Sequence, residues 1–225
     1  MNFKKRITIL LYYCVIASIM AVTPHDSFSK ETASVLVKKL METFDGLVNY
    51  SAEITTIEKD SKTKMHYFYQ KPGFTKMVFI DPHEGATLSY NPNTDKVILR
   101  PFKSLRSVSM SLSPENSLIQ SPRGHSVDKS DIGYFLRTMT ELYKNGNAKI
   151  ISGNGELPGE KIIFEVTGNN DFSIDKINKY KVEFNSDFYF PTEVKAYSSD
   201  GELIEHMKLA DVKIDQNFAS DTFEN

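Results

Sequence analysis

Cysteine occurs once in the 225 residues, as Cys14 inside an apolar stretch near the N-terminus. Leu11, Tyr12 and Tyr13 precede it, whereas lipid attachment needs a small residue just before the cysteine, so lipidation is not expected. With that stretch removed the remainder has no thiol, which excludes disulfides, thiolate metal sites and a thiol nucleophile. An excess of basic charge is also lacking: 27 Lys and Arg stand against 29 Asp and Glu. Few cations are left over to neutralise phosphates, so nucleic acid is not expected as a partner. Glycine-rich phosphate loops are absent. The five histidines include no pair at the spacing of a helical metal motif, and the turn Asn169-Asn170-Asp171 lacks the spacing of a calcium loop. No metal and no cofactor are expected.

A long hydrophobic run is missing as well. The longest, residues 7–22, falls short of the roughly 20 residues of a membrane span. It follows Lys4, Lys5 and Arg6 and precedes Ser27-Phe28-Ser29, the order of a secretory signal peptide. Cleavage is expected after Ser29, with Ala21 the alternative; the competing reading is an uncleaved N-terminal anchor. Residues 1–29 are therefore assigned to the signal peptide and residues 30–225 to one domain exported to the periplasm, about 195 residues being a single-domain length.

Val35, Leu36, Val37, Leu40, Met41 and Phe44 recur at three-to-four spacing over residues 31–47, which predicts an amphipathic helix that Gly46 ends. Alternation then predicts strands over 50–57, 64–70, 74–80, 86–90 and 96–100, with Pro72-Gly73 and Asn91-Pro92-Asn93-Thr94-Asp95 as turns. Residues 103–126, rich in Ser and Pro, read as a long loop or lid. A second helix is expected over 129–144, capped by Asp128 or Ser130 and ended by Gly146, with Ile132, Phe135, Leu136, Met139, Leu142 and Tyr143 on its apolar face. Five more strands follow, over 148–152, 161–167, 180–185, 191–198 and 203–213, the last two joined at Ser199-Asp200-Gly201. Blocks of strands broken by single helices mean an α+β fold with an antiparallel meander.

The most reactive-looking cluster is Ser121-Pro122-Arg123-Gly124-His125-Ser126-Val127-Asp128. A catalytic triad needs its members converged by the fold beside an oxyanion hole, whereas neighbours in sequence read better as the loop and cap before the second helix. No catalytic residue is assigned. Arg123 and His125 are expected to contact the lid or an anionic headgroup.

The order of elements, the Lys71-Pro72-Gly73-Phe74 turn, Tyr90-Asn91-Pro92 and the closing run from Leu209 to Asp215 and Phe223 together resemble the LolA-like outer-membrane lipoprotein carrier superfamily, more closely a secreted subgroup of it. The resemblance covers nearly all of residues 31–225. It implies a strongly curved antiparallel half-barrel whose concave face is covered by helices, no catalytic machinery, and a carrier that shields an acyl or lipid-linked ligand. Membrane-bound donor and acceptor proteins would be its partners. The alternative is a non-enzymatic envelope sensor or protein-interaction module of the same fold. Where that family has arginine before the hairpin proline, latching the lid helices, this chain has Lys71, which lacks the planar fork and makes a weaker latch.

The hairpin Tyr69-Gln70-Lys71-Pro72-Gly73-Phe74 decides which side chains line the cavity. Strand side chains alternate faces. A three-residue loop puts Lys71 near Thr75 and joins Tyr67 and Tyr69 to Met77 and Phe79, whereas a two-residue loop selects the other set. Alignment to the family favours the former, with Phe68, Val78 and Ile80 on the convex side, partly covered by neighbouring chain. The expected ligand-binding residues are Tyr67, Tyr69, Lys71, Met77, Phe79 and Tyr90.

Overall fold

The computed structural model describes residues 25–58, 60–101, 108–153, 155 and 157–223. The leader assigned to residues 1–29 lies almost wholly outside them. Among the described residues, helix α1, His25–Gly46, and helix α2, Ile132–Lys144, accompany eleven strands. Six strands precede α2: β1 Asn49–Glu58, β2 Ser61–Gln70, β3 Phe74–Asp81, β4 Thr87–Asn91, β5 Lys96–Arg100 and β6 Met110–Leu112. Five follow it: β7 Gly146–Ser152, β8 Lys161–Gly168, β9 Lys179–Asn185, β10 Phe190–Tyr197 and β11 Leu203–Ile214. Strand β6 is one more than the sequence pattern shows; its three residues fall inside the stretch expected as a loop.

All strands form one antiparallel sheet in the order β6-β5-β4-β3-β2-β1-β11-β10-β9-β8-β7. The chain meanders outward from β1 to β6, crosses to the far edge at β7, and meanders back until β11 pairs with β1 in the middle. The sheet does not close, so β6 and β7 are its edges. This is an open half-barrel, and the crossing between its edges carries α2 over one face. Helices α1 and α2 pack on each other and against β7, β8 and β10, which makes that face the concave, buried one.

Burial follows the period-2 pattern. On β8 and β9, Ile162, Phe164, Val166, Tyr180, Val182 and Phe184 point inward and are all buried. From α1 they meet Leu36, Val37, Leu40 and Phe44, and from α2 Ile132, Leu136, Met139 and Leu142. Val35, a member of the apolar stripe by spacing, lies instead on the outer side of α1, 62% exposed. Ile119 and Val127 of the crossing segment join the same core as Met77, Leu88 and Val97.

The cap of α2 is Asp131, whose Oδ1 accepts from the Tyr134 N–H at 3.0 Å. Asp128 and Ser130, the expected caps, lie in and just after a 3₁₀ turn at Val127–Lys129, so the α-helix starts one step later. At the other end Asn145 occupies the C-cap and Gly146 begins β7. There a Cβ would lie 2.0 Å from the Thr167 carbonyl oxygen, so the glycine is required by close strand approach rather than by helix termination. On the convex side residues 216–223 fold back over β2 and β3. Phe218 packs edge-on against Phe68, Phe223 lies against Phe74, and Lys76 Nζ donates to the Thr222 carbonyl at 2.7 Å. The chain covering Phe68 is thus the C-terminal segment.

At Gly133 α2 lies close against α1: a Cβ there would lie 2.3 Å from the Phe44 ring. In an exposed helix Gly→Ala gains up to about 1 kcal/mol, but overpacking costs about 1–3 kcal/mol. Gly133→Ala is expected to lower the urea midpoint of unfolding, and a raised midpoint would show that the helices are not in this contact.

Candidate functional site

The β2–β3 turn consists of Lys71, Pro72 and Gly73, with Gln70 opposite Phe74, Tyr69 opposite Thr75, Tyr67 opposite Met77 and Met65 opposite Phe79. The loop has the expected three residues but sits one position earlier, so Lys71 lies in the turn instead of opposite Thr75. The resulting two-residue slip in pairing keeps every side chain on its expected face. Tyr67, Tyr69, Met77 and Phe79 share the concave wall; the first three are buried and Phe79 is half-buried against the core.

A stack of tyrosines organises this wall. Tyr50, fully buried on β1, lies between Tyr67 and Tyr69 with ring centroids 5.8 and 5.1 Å away, and Phe190 meets it edge-on at 5.0 Å. The hydroxyls are used. Tyr50 Oη accepts from the Ile132 N–H at 3.1 Å, and Tyr67 Oη is 3.0 Å from Ser130 Oγ. The first bond falls on the first turn of α2, where backbone N–H groups lack intrahelical partners, and the second on Ser130, the residue before its cap. Burial holds the Tyr50 and Tyr67 hydroxyls far above the usual phenol range, and Tyr69 is pushed up to about 12, mainly by the same cause. Asp131 is raised by burial as well. These tyrosines stay neutral and serve as amphipathic anchors.

Lys71 projects over the end of α1. Its Nζ donates to the carbonyls of Phe44 at 3.0 Å and Asp45 at 2.7 Å and lies 5.4 Å from the Phe44 ring centroid. The last carbonyls of a helix carry partial negative charge and attract a cation. The latch expected from an arginine is therefore present in a lysine version. Tyr90, half-buried on β4, donates to Asp95 Oδ1 at 3.2 Å and packs on the edge of the core. The six expected residues thus fall on one contiguous wall and its rim.

Arg123 and His125 are not beside them. They occupy the opposite rim, at the far end of β1, where Glu58 is found. The register runs Ile54 opposite Leu209 and Ile57 opposite His206; one step on, Glu58 and Glu205 stand side by side on the concave face. Arg123 Nη1 donates to Glu205 Oε2 at 2.6 Å and Nη2 to the Asp175 carbonyl at 3.1 Å. Glu58 is 5% exposed, and its Oε2 has no hydrogen-bond partner among the described residues. Burial first, then the Glu205 charge, raise its carboxyl to about 7, against the opposing pull of the Arg123 charge and backbone. His125 is held below the usual imidazole range by burial and by the Arg123 charge. Arg123 is committed to Glu205, so its guanidinium is not free for the anionic headgroup expected there. Ser121 Oγ accepts from the N–H groups of Arg123 and His125, the role of a turn-forming hydroxyl. Among the described residues no group of three or more His, Cys, Asp or Glu is placed to hold a metal ion.

Sequence reasoning missed Tyr50, Ser130, Glu58 and Glu205. Tyr50 opens an alternating strand, and its inward parity with Ala52 and Ile54 is a usable signal. Glu58 and Glu205 are far apart in the chain, and no local pattern joins them.

No protein-family model and no curated protein matches the chain. Solved structures match it in shape. The crystal structure of MucB superposes with a TM-score of 0.56 at 10% identity, over 86% of this chain and 62% of that one. In the complex structure of Pseudomonas aeruginosa MucA/MucB the values are 0.53, 10%, 86% and 60%. An uncharacterized conserved protein from Thermus thermophilus gives 0.50 at 8% identity, over 86% of this chain and 93% of that one. A putative outer membrane lipoprotein-sorting protein domain from Vibrio parahaemolyticus gives 0.44 at 13% identity, over 87% and 97%. The chain spans about three-fifths of the matched MucB chains. At these identities the shared property is the fold, an open half-barrel like that of MucB.

Lys71→Met removes both hydrogen bonds to the end of α1 and is expected to cost about 1–2 kcal/mol in urea unfolding, the net worth of charge-assisted bonds at a partly exposed site. Lys71→Arg, which restores a forked donor, is expected to match or exceed the parent. Equal loss in both variants would mean that packing of the lysine stem, not its charge, holds the helix.

Proposed function

We propose that the protein is a non-enzymatic envelope protein, exported to the periplasm with residues 1–29 removed, whose residues 30–225 shield an acyl or lipid-linked ligand on the concave face of the half-barrel. One observation carries this reading. The apolar wall of an unclosed sheet is covered by helices that pack on it and whose ends are pinned by a few discrete polar contacts: Lys71 at the end of α1, and Tyr50 and Tyr67 at the start of α2. Such covers can be exchanged for another apolar surface.

The energies are of matching size. Each latch hydrogen bond is worth about 0.5–1.5 kcal/mol net, whereas burying a ~10-carbon chain gains roughly 8 kcal/mol at about 0.8 kcal/mol per methylene, before ordering and association costs. Ligand burial can therefore offset release of the latches, provided that the apolar faces of α1 and α2 stay largely covered. Tyr67, Tyr69, Met77 and Phe79 would contact the chain, Met77 adapting to its shape, with Lys71 and Tyr90 at the rim. Membrane-bound donor and acceptor proteins would load and unload it. The structural likeness to MucB, which is also known in complex with MucA, favours a second reading, in which a protein partner docks on the half-barrel and no lipid is carried.

Native mass spectrometry of the protein purified from its own periplasm, followed by denaturing extraction, separates the two. The carrier reading expects a co-purifying acylated or isoprenoid species, uptake of a fluorescent long-chain fatty acid by delipidated protein, and at least tenfold weaker uptake in Phe79→Asp with cooperative unfolding retained. A clean apo mass with no uptake, together with one stoichiometric envelope protein, would replace it with the interaction module. Unchanged uptake in Phe79→Asp would move the ligand away from this wall.

A further inference from the structure

The rim around Glu58 has an arrangement that the fold does not demand. Two carboxylates directly opposite on neighbouring strands repel each other, and the inward end of a strand is normally closed by apolar side chains. Here Glu58 and Glu205 stand next to each other on the concave face, and one guanidinium, Arg123, lies over them. Arg123 belongs to the segment that crosses from β6 to α2. Its bonds to Glu205 on β11 and to the Asp175 carbonyl in the β8–β9 connection join three parts of the chain that are far apart in sequence. The remaining charged and titratable groups of the cluster are few. From the crossing segment come His125 and Lys129, from α2 comes Tyr134, whose hydroxyl donates to Asp175 Oδ2 at 3.4 Å, and from β9 comes Tyr180, buried against Phe135. None of them bonds the free Glu58 oxygen, which is buried and without a partner among the described residues.

We propose that Glu58, Glu205 and Arg123 form a proton-dependent latch, which holds the crossing segment of residues 121–131 over this rim when Glu58 is protonated and releases it when Glu58 ionises. Neutral Glu58 can stay in its dry position beside an ionised Glu205 that keeps Arg123 to itself. Ionised Glu58 adds a second negative charge where one guanidinium is already engaged and one carboxyl oxygen has no donor, and the charge is relieved by admitting water. Opening is the route available, because the cover over Glu58 is the segment carrying Arg123.

The direction of the effect follows from the group's affinity for its proton. The closed form holds the Glu58 carboxyl near 7, above the ordinary 4.5 of a solvated glutamate. The closed form therefore binds the proton more tightly than the open one. Its advantage is complete below about 4.5 and is lost as pH rises through about 7. Opening is expected to grow by roughly thirtyfold between about pH 5.5 and about pH 8. The latch operates on the protein alone, so it stands whether the concave face takes a lipid or a protein partner.

The test is hydrogen exchange of the purified protein, read by mass spectrometry over residues 121–131 and divided by the intrinsic rate at each pH, with β8 and β9 as internal reference. Protection of the segment is expected to fall roughly thirtyfold from about pH 5.5 to about pH 8 while the reference strands stay level. In Glu58→Gln, which keeps the neutral shape, protection is expected to remain at its acid value throughout. The same pH slope in the parent and in Glu58→Gln, or no slope in the parent, overturns the latch. If Glu58→Gln does not fold, carbon-detected titration of the Glu58 carboxyl in the parent decides: a midpoint near 7 supports the latch, and one near 4.5 overturns it.

Discussion

The docking of the first turn of α2 onto Tyr50 and Tyr67 is the contact on which the concave face depends. A helix start exposes backbone N–H groups that must find acceptors, and a buried phenol must find a partner for its hydroxyl. Each need meets the other here: Tyr50 Oη takes the Ile132 N–H, Tyr67 Oη pairs with Ser130, and Asp131 caps the turn with its own carboxylate. The rings stack among themselves, so the polar pair of bonds is built into an aromatic wall. Were α2 to start elsewhere, the Ile132 N–H would lose its acceptor and the Tyr67 hydroxyl would lose Ser130.

That anchor makes sense of the topology. A meander of six strands leaves one edge of the sheet, and five more must begin at the other edge if the last strand is to reach the first. The connection has to cross a face, and the apolar stripe of α2 makes the concave one favourable. Gly133 lets α1 and α2 approach until Phe44 fills the contact, and Lys71 then reaches the last carbonyls of α1 from the β2–β3 turn. The convex side is treated differently. It carries salt bridges such as Lys149 with Glu165 and Lys161 with Glu183 on the β7–β9 half, and aromatic side chains beneath the returning C-terminal segment on the β2–β3 half.

The two rims of the half-barrel differ in chemistry. At one, a single lysine meets the last carbonyls of α1. At the other, a buried carboxyl, Glu58, lies beside a carboxylate, Glu205, that engages the one guanidinium, Arg123, and in the proposed latch a proton decides whether the charges balance. An apolar wall between a fixed latch and a conditional one is the physical setting in which the proposed shielding and its release can be separately controlled.

Period and punctuation in the sequence determined most of the architecture. Alternation put Tyr67, Tyr69, Met77 and Phe79 on one face of the hairpin and the family resemblance chose that face as the inward one, which holds even though the turn sits one residue earlier, because a slip of two positions conserves parity. The three-to-four spacing in α2 placed its buried side chains for the same reason: helical and strand periods are local properties. Its cap was misplaced because Ser130 is drawn to Tyr67, a residue from another element. Likewise, Lys71 as a latch was legible from resemblance, but its acceptors at Phe44 and Asp45 were not. The pairing of Arg123 with Glu205, and Glu205 beside Glu58, was decided by tertiary structure alone. Those residues are brought together when β11 returns to pair with β1, and the charge balance of a buried cluster depends on which groups meet there, which no stretch of sequence contains.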